Sequence, residues 1–249
     1  MAALLKSLLG FKPADVKVLT DSQATKANIM ANLKEMVDGA KAGKYTYLVF
    51  SLSSHGTQVP DTSCDEETDN ADEAFCPYDL AQKGDTWDPK FVITDDELRA
   101  LFVQLPPNVL LEVYLDTCHS GTGIKSIDLL LDRKPRFLPP PSLDAFEALR
   151  GKKPRSLAAS LQEQEKDLVH HILWAGCRAD QTSADANIAG GWHGAFTYFF
   201  VKTMKASSNS LSRAEVLKKV RADLKAGKYT QIAQLETEAT TKKLSVPVP

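Results

Sequence analysis

Several absences narrow the class of this chain before any motif is considered. It has only four cysteines, Cys64, Cys76, Cys118 and Cys177, and no two form a C-x-x-C pair. That spacing argues against zinc-ribbon and thioredoxin-type sites. The even count allows two disulfides, yet a chain of this size without a recognisable secretion signal favours reduced thiols. No apolar run approaches the roughly 20 residues that a bilayer span needs. The start, MAALLKSLLGF, carries no cleavage-site pattern and reads as an amphipathic helix with Leu4, Leu5, Leu8 and Leu9 on one side. Charge of one sign is lacking too: 30 Lys and Arg face 32 Asp and Glu. No global field pulls the chain toward nucleic acid or membrane, so neither is expected as a partner. There is no internal repeat. These absences together predict a cytoplasmic protein.

What is present is apolar content sufficient for one good core, 43% of 249 residues. "TYLVFSLS" (46–53), "VLLEVYLDT" (109–117) and "HHILWAGC" (170–177) are near-continuous apolar runs, as in strands buried on both faces. "DVKVLT" (15–20) and "TQIAQLET" (230–237) are weaker strand candidates. Helical spacing recurs through Ile29, Leu33, Met36 and Val37, and in the strongly apolar "GAFTYFFVKTM" (194–204). Thr94 with Glu97, and Ser212 with Glu215, have the spacing of capping boxes. Strands alternating with helices predict an α/β fold with a mostly parallel sheet flanked by helices. Two long segments interrupt the scheme: an acidic one (53–79) and a proline-rich basic one (134–156).

Two buried strands end in reactive residues: one delivers His55, the other Cys118. In open parallel sheets ligands bind beyond the carboxyl ends of the strands. If the two strands are neighbours, His55 and Cys118 meet there, and their separation of 63 residues suits one crossover with an inserted loop. A free thiol, with a pKa of about 8.5, is a weak nucleophile until an imidazolium stabilises its thiolate. The same imidazole can protonate a leaving amine. Gly56 lets backbone approach a substrate, and its N–H, with the Cys118 amide, can serve an oxyanion. Against this stands a plain core cysteine and a structural histidine. His119, the competing base, points away from its neighbour on an extended segment. Asp116 shares a face with Cys118, either as counter-ion for a substrate Arg or Lys or as a helix or turn cap.

The blocks "FSLSSHGTQVPD", "DEAFCPYD", "ITDDELRALF", "LDTCHSGTG" and "GCRADQTSADA" occur in the order and spacing of one family. The chain resembles the metacaspases, more closely their type I-like bacterial and microbial relatives, in the caspase–hemoglobinase fold. The resemblance runs from about Leu4 to the last strand. It implies a cysteine endopeptidase, a thiol protease cleaving after Arg or Lys, commonly calcium-dependent, made as a zymogen and self-processing. It implies His55 and Cys118 as the dyad, Gly56 and the Cys118 amide as the oxyanion hole, and Asp116 with Ser53 in the wall of the basic-residue pocket. One domain, 1–249, divides into a large-subunit-like part (1–124), a linker or processing loop (125–167) and a small-subunit-like part (168–249).

The acids Asp61, Asp65, Glu66, Glu67, Asp69, Asp72 and Glu73 read either as a solvated loop or as ligands for calcium, which takes about six to eight oxygens. Asp95 and Asp96 suit a helix N-terminus in any case. The resemblance implies calcium at Asp72, Asp95 and Asp96; for a further ligand after the cysteine, Lys125 stands at the expected place and Asp128 nearby. No organic cofactor is expected. The basic residues Arg133, Lys134, Arg136, Arg150, Lys152, Lys153 and Arg155 read either as a solvated linker or as self-processing sites between Lys125 and Lys166. The chain departs from the family at Ser54 and Cys64, where glycine is usual, and at its start. The family's first central strand has no match here, so a truncated segment, a strand-donating partner or a sheet closed differently is expected, because open strand edges are aggregation-prone. Two alternatives stay open: a non-catalytic caspase-like interaction module, and an aspartate-specific protease for which Arg178 would supply the positive charge.

Overall fold

A computed structural model describes residues 1–60, 71–118, 133–149, 171–178 and 181–248. Much of the acidic loop with Cys64, His119, the possible calcium positions Lys125 and Asp128, and the linker beyond residue 149 with its basic cluster lie outside the described residues.

The chain opens with helix α1 (Ala2–Ser7), which buries Leu4 and Leu5, with Leu9 buried just beyond its end. "DVKVLT", expected as a strand, is instead the end of a 3-10 turn (Pro13–Asp15) followed by extended chain. Its alternation is too weak to hold a ladder, and Val18 is left exposed. Helix α2 (Lys26–Lys41) follows, capped by the Thr25 hydroxyl, which accepts the Asn28 N–H. Strand β1 (Tyr47–Ser53) runs straight into the antiparallel excursion of β2 (Gly56–Pro60) and β3 (Ala71–Phe75), and a minor hairpin, β4 (Gln82–Lys83) and β5 (Thr86–Trp87), projects beyond it. Strand β6 (Ile93–Thr94) leads into α3 (Asp95–Phe102), whose expected Thr94–Glu97 capping box is formed. Then come β7 (Leu110–Asp116), β8 (Arg133–Pro135), α4 (Leu143–Leu149), β9 (His171–Ala175), the hairpin β10 (Ala184–Ile188) and β11 (Gly191–Gly194), α5 (Ala195–Ser207), α6 (Arg213–Ala226), β12 (Gln234–Glu236) and α7 (Ala239–Lys242).

The central sheet has the order β1-β7-β9-β12. The first three strands are parallel and β12 is antiparallel to β9, shorter than the segment expected for it. β1 pairs directly with β7, and among the described residues no strand lies on its other side. Among the described residues the two edges of this sheet are therefore β1 and the short β12.

Strand β7 alternates its residues between two cores. Leu111, Val113 and Leu115 face Ile29, Leu33 and Val37 of α2 with Leu98 and Phe102 of α3. Tyr114 faces the other way, with Trp174, Phe196, Phe200 and the α6 residues Val216, Val220 and Leu224. Burial of each such side chain contributes about 1.5–3 kcal/mol, so helices on both faces fix the sheet as a middle layer.

A carboxylate sits inside the second core. Glu112 is wholly buried, yet every lone-pair direction finds a donor: Arg213 Nε at 3.0 Å and Nη2 at 2.8 Å, Trp174 Nε1 at 2.8 Å and the Tyr47 hydroxyl at 3.0 Å. Arg213 also donates to the Ser245 carbonyl at 2.8 Å, which ties the C-terminal segment to α6. Breaking one side of a buried pair leaves an uncompensated charge. Glu112→Ala is expected to lower unfolding free energy by about 3–5 kcal/mol, measured by chemical denaturation. The double variant Glu112→Leu, Arg213→Met is expected to cost less than the sum of its parts.

Candidate active site

The register of β1 on β7 pairs Ser53 with Asp116. The residues two beyond each, His55 and Cys118, therefore emerge at the same carboxyl edge of the sheet, with Gly56 opening β2 beside them. Cys118 is fully buried. Its thiol exchanges hydrogen bonds with the Ser183 backbone: the Ser183 N–H donates to the sulfur, and the thiol donates to the Ser183 carbonyl at 3.1 Å. Among the described residues no hydrogen bond joins it to His55. His55 retains an exposed ring, and its pKa is lowered, first by partial desolvation and then by the Arg136 guanidinium, with Asp185 acting the other way.

Cys76, Cys118 and Cys177 are all free thiols. Burial pushes Cys76 up to about 12, and a hydrogen bond with Cys118, followed by burial, holds Cys177 well above the ordinary thiol range. Neither is suited to nucleophilic work at neutral pH.

The cleft is occupied by the chain's own residues 133–138. Strand β8 lies antiparallel on β10, with Arg133, Lys134 and Pro135 opposite Ala186, Asp185 and Ala184. The Arg136 N–H continues the ladder to the Ser183 carbonyl at 2.9 Å. The Gly56 N–H donates to the Arg136 carbonyl at 2.8 Å, and the Leu138 N–H donates to the Gly56 carbonyl at 2.9 Å. The second expected donor, the Cys118 amide, makes no backbone hydrogen bond to that carbonyl. Phe137, the next residue, is buried with Cys118, Cys177 and Phe146.

The Arg136 side chain enters a pocket between β1, β7 and β10. Its Nη1 donates to Ser53 Oγ at 2.6 Å and to the Asp116 carbonyl at 2.9 Å, and its Nη2 pairs with Asp185 at 3.0 Å. The Asp116 carboxylate is engaged elsewhere. It accepts the Ser183 hydroxyl at 2.7 Å and the Thr197 N–H at 2.9 Å, in the first turn of α5. It thus takes the capping role that its sequence position left open, while forming the floor of an acidic pocket. Gly194 is required at that floor. A Cβ there would collide with the Asp116 carboxylate and stand 3.0 Å from Arg136 Cζ.

Asp185, the direct ion-pair partner, was not singled out from the sequence, although it lies in the quoted "GCRADQTSADA". Its signal is alternation: Ser183 and Asp185 are two apart on extended chain and point to one side. Arg178 lies exposed just after β9.

The three acids tied to calcium fall near one corner. Asp72 is in β3, which pairs with β6, and Asp95 and Asp96 begin the helix that follows β6. Their oxygens are the right donor type for calcium. However, Asp96 pairs with Arg99 at 2.8 Å, and among the described residues no group of three or more His, Cys, Asp or Glu is gathered to hold a metal.

The Caspase domain family profile matches residues 1–245. Metacaspase-1A of Aspergillus clavatus is 31% identical over 94% of this chain and 59% of its own length. Metacaspase-1 of Sclerotinia sclerotiorum is 30% identical over 94% of this chain and 59% of its own. The chain thus spans about three-fifths of the length of the curated relatives it matches. Among solved structures, a Geobacter sulfurreducens protein superposes with a TM-score of 0.65 at 24% identity, covering 100% of this chain and 86% of that one. Caspase-1 of Spodoptera frugiperda superposes with a TM-score of 0.54 at 11% identity, covering 94% and 76%. At these identities the two structures speak to the fold.

Because the Arg136 guanidinium lowers the His55 pKa, Arg136→Ala is expected to move the His55 titration midpoint upward, read from its imidazole resonances by NMR. An unchanged midpoint would show that the guanidinium does not act on this ring.

Proposed function

Because the chain belongs to the caspase-domain family, we propose that it is a cysteine endopeptidase hydrolysing peptide bonds after Arg or Lys through Cys118 and His55, and that it processes itself. The observation that carries this is Arg136. Its side chain fills the acidic pocket, its carbonyl takes the Gly56 N–H, and its peptide continues past the thiol as Phe137. The segment has the form of an extended peptide added to a sheet edge, with main-chain bonds giving affinity and a pocket giving selectivity.

In this reading His55 takes the Cys118 thiol proton as the sulfur leaves its Ser183 partners and attacks the carbonyl carbon held by Gly56. The C–N bond breaks, and the amine departs with a proton from His55, leaving a thioester. Water, deprotonated by His55, then hydrolyses the thioester and frees the carboxylate and the thiol. The Arg136–Phe137 bond, inside the linker, is the self-processing site. An aspartate at that pocket would meet the carboxylates of Asp116 and Asp185, and like charges brought together oppose binding. Calcium stimulation belongs to the same proposal, carried by the resemblance and by the acids near the β3–α3 corner, with no chemical step assigned to the ion.

The test compares fluorogenic peptides ending in Arg, Lys or Asp, with calcium or a chelator, on the chain and on Cys118→Ala. Arg and Lys reporters are expected to turn over, faster with calcium, and the Asp reporter not to. Asp185→Asn is expected to lower the specificity constant for Arg by about tenfold, as for loss of the charge on one partner of a part-buried, charge-assisted hydrogen bond. Absence of Cys118-dependent turnover of every reporter would leave the non-catalytic module as the function.

A further inference from the structure

The cleft holds a second built pocket for a positive side chain, three residues before Arg136. Arg133 is nine-tenths buried although it belongs to a linker. Its Nη1 donates to the Lys228 carbonyl at 2.7 Å and its Nη2 to the Gly227 carbonyl at 2.5 Å. Its Cζ stands 3.9 Å from the centre of the Tyr229 ring.

The pocket belongs to the scaffold. Gly227 is the C-cap of α6, and Lys228 takes a left-handed φ of 60° that turns the chain out of the helix. The C-terminal carbonyls of a helix lack intrahelical donors and carry the negative end of its dipole. Tyr229 is braced edge-on by Phe199 of α5, with ring centroids 5.8 Å apart. Two carbonyls beside an aromatic face suit a planar guanidinium, which stacks and donates in a fork at the same time. A lysine ammonium cannot do both as well. None of these groups belongs to the Arg136 pocket.

We propose that Gly227, Lys228 and Tyr229 form a specificity pocket for arginine three residues before the cleaved position, so that preferred substrates carry Arg-x-x-Arg. The inference rests on the peptidase reading above, and the cis segment Arg133–Arg136 is its example. The same pocket explains why β8 stays registered on β10. With both arginines seated, the strand cannot slip by a residue without emptying both pockets.

The experiment measures specificity constants for three reporters with one leaving group, Arg-Lys-Pro-Arg, Lys-Lys-Pro-Arg and Ala-Lys-Pro-Arg, on one preparation, where the cis segment competes equally with all. Arg is expected to exceed Ala at the leading position by about tenfold or more, with Lys between, the size of charge-assisted hydrogen bonds plus a cation–π contact. Tyr229→Ala is expected to narrow the Arg-to-Ala ratio to less than about threefold, loss of the stacking face removing much of the preference. Turnover with a ratio near one in the unaltered chain, or a ratio that Tyr229→Ala leaves unchanged, overturns this inference and spares the peptidase reading. No turnover of any reporter overturns both.

Discussion

The cleft depends on how β7 satisfies two carboxylates buried on one of its faces. Glu112 and Asp116 are four apart, so on a strand they point the same way, into the layer built by α5 and α6. Neither is tolerable there without donors. Glu112 takes its donors from Arg213 of α6, Trp174 of β9 and Tyr47 of β1. Asp116 takes its donors from the start of α5 and from Ser183. These bonds fix where both helices and β10 stand relative to the end of the strand. Cys118, two residues further on, is thereby positioned against Ser183, and the pocket between Ser53 and Asp185 gets its depth.

A tethered peptide in such a cleft needs little intrinsic affinity. Attachment through a short linker gives an effective concentration on the order of millimolar, so an ion pair, a few ladder bonds and two seated arginines hold residues 133–138 against competing peptides. In the proposed account the uncut chain is therefore its own inhibitor, and the thiol rests on Ser183 until it attacks. Cutting the Arg136–Phe137 bond would separate the seated arginines from the downstream chain, while residues 133–136 would stay joined to β7 through the chain that follows Cys118.

Much of this was legible in the sequence, for identifiable reasons. The apolar runs ending at Ser53 and Asp116 announced parallel buried strands, and the two capping boxes set the starts of α3 and α6. Because strand side chains alternate, the facing of Asp116 followed from its spacing to Cys118. What the sequence left open depends on contacts between distant segments. Whether Asp116 caps α5 or meets an arginine is decided by Thr197 and Ser183, 81 and 67 residues away. That Asp185 pairs with Arg136, and that Arg133 stacks on Tyr229, depends on the pairing of β8 with β10. No local pattern encodes that pairing, and the basic segment read equally well as a solvated linker. "DVKVLT" misled because β propensity means little without a neighbouring strand.

The most direct test of the central claim, that Arg136 lies in the cleft as a substrate, is to map chain ends by mass spectrometry after incubating the purified chain with calcium, alongside Cys118→Ala. The account predicts a fragment ending at Arg136 and another beginning at Phe137, both absent from Cys118→Ala. An intact chain, or cuts only at other basic residues of the linker, would contradict it.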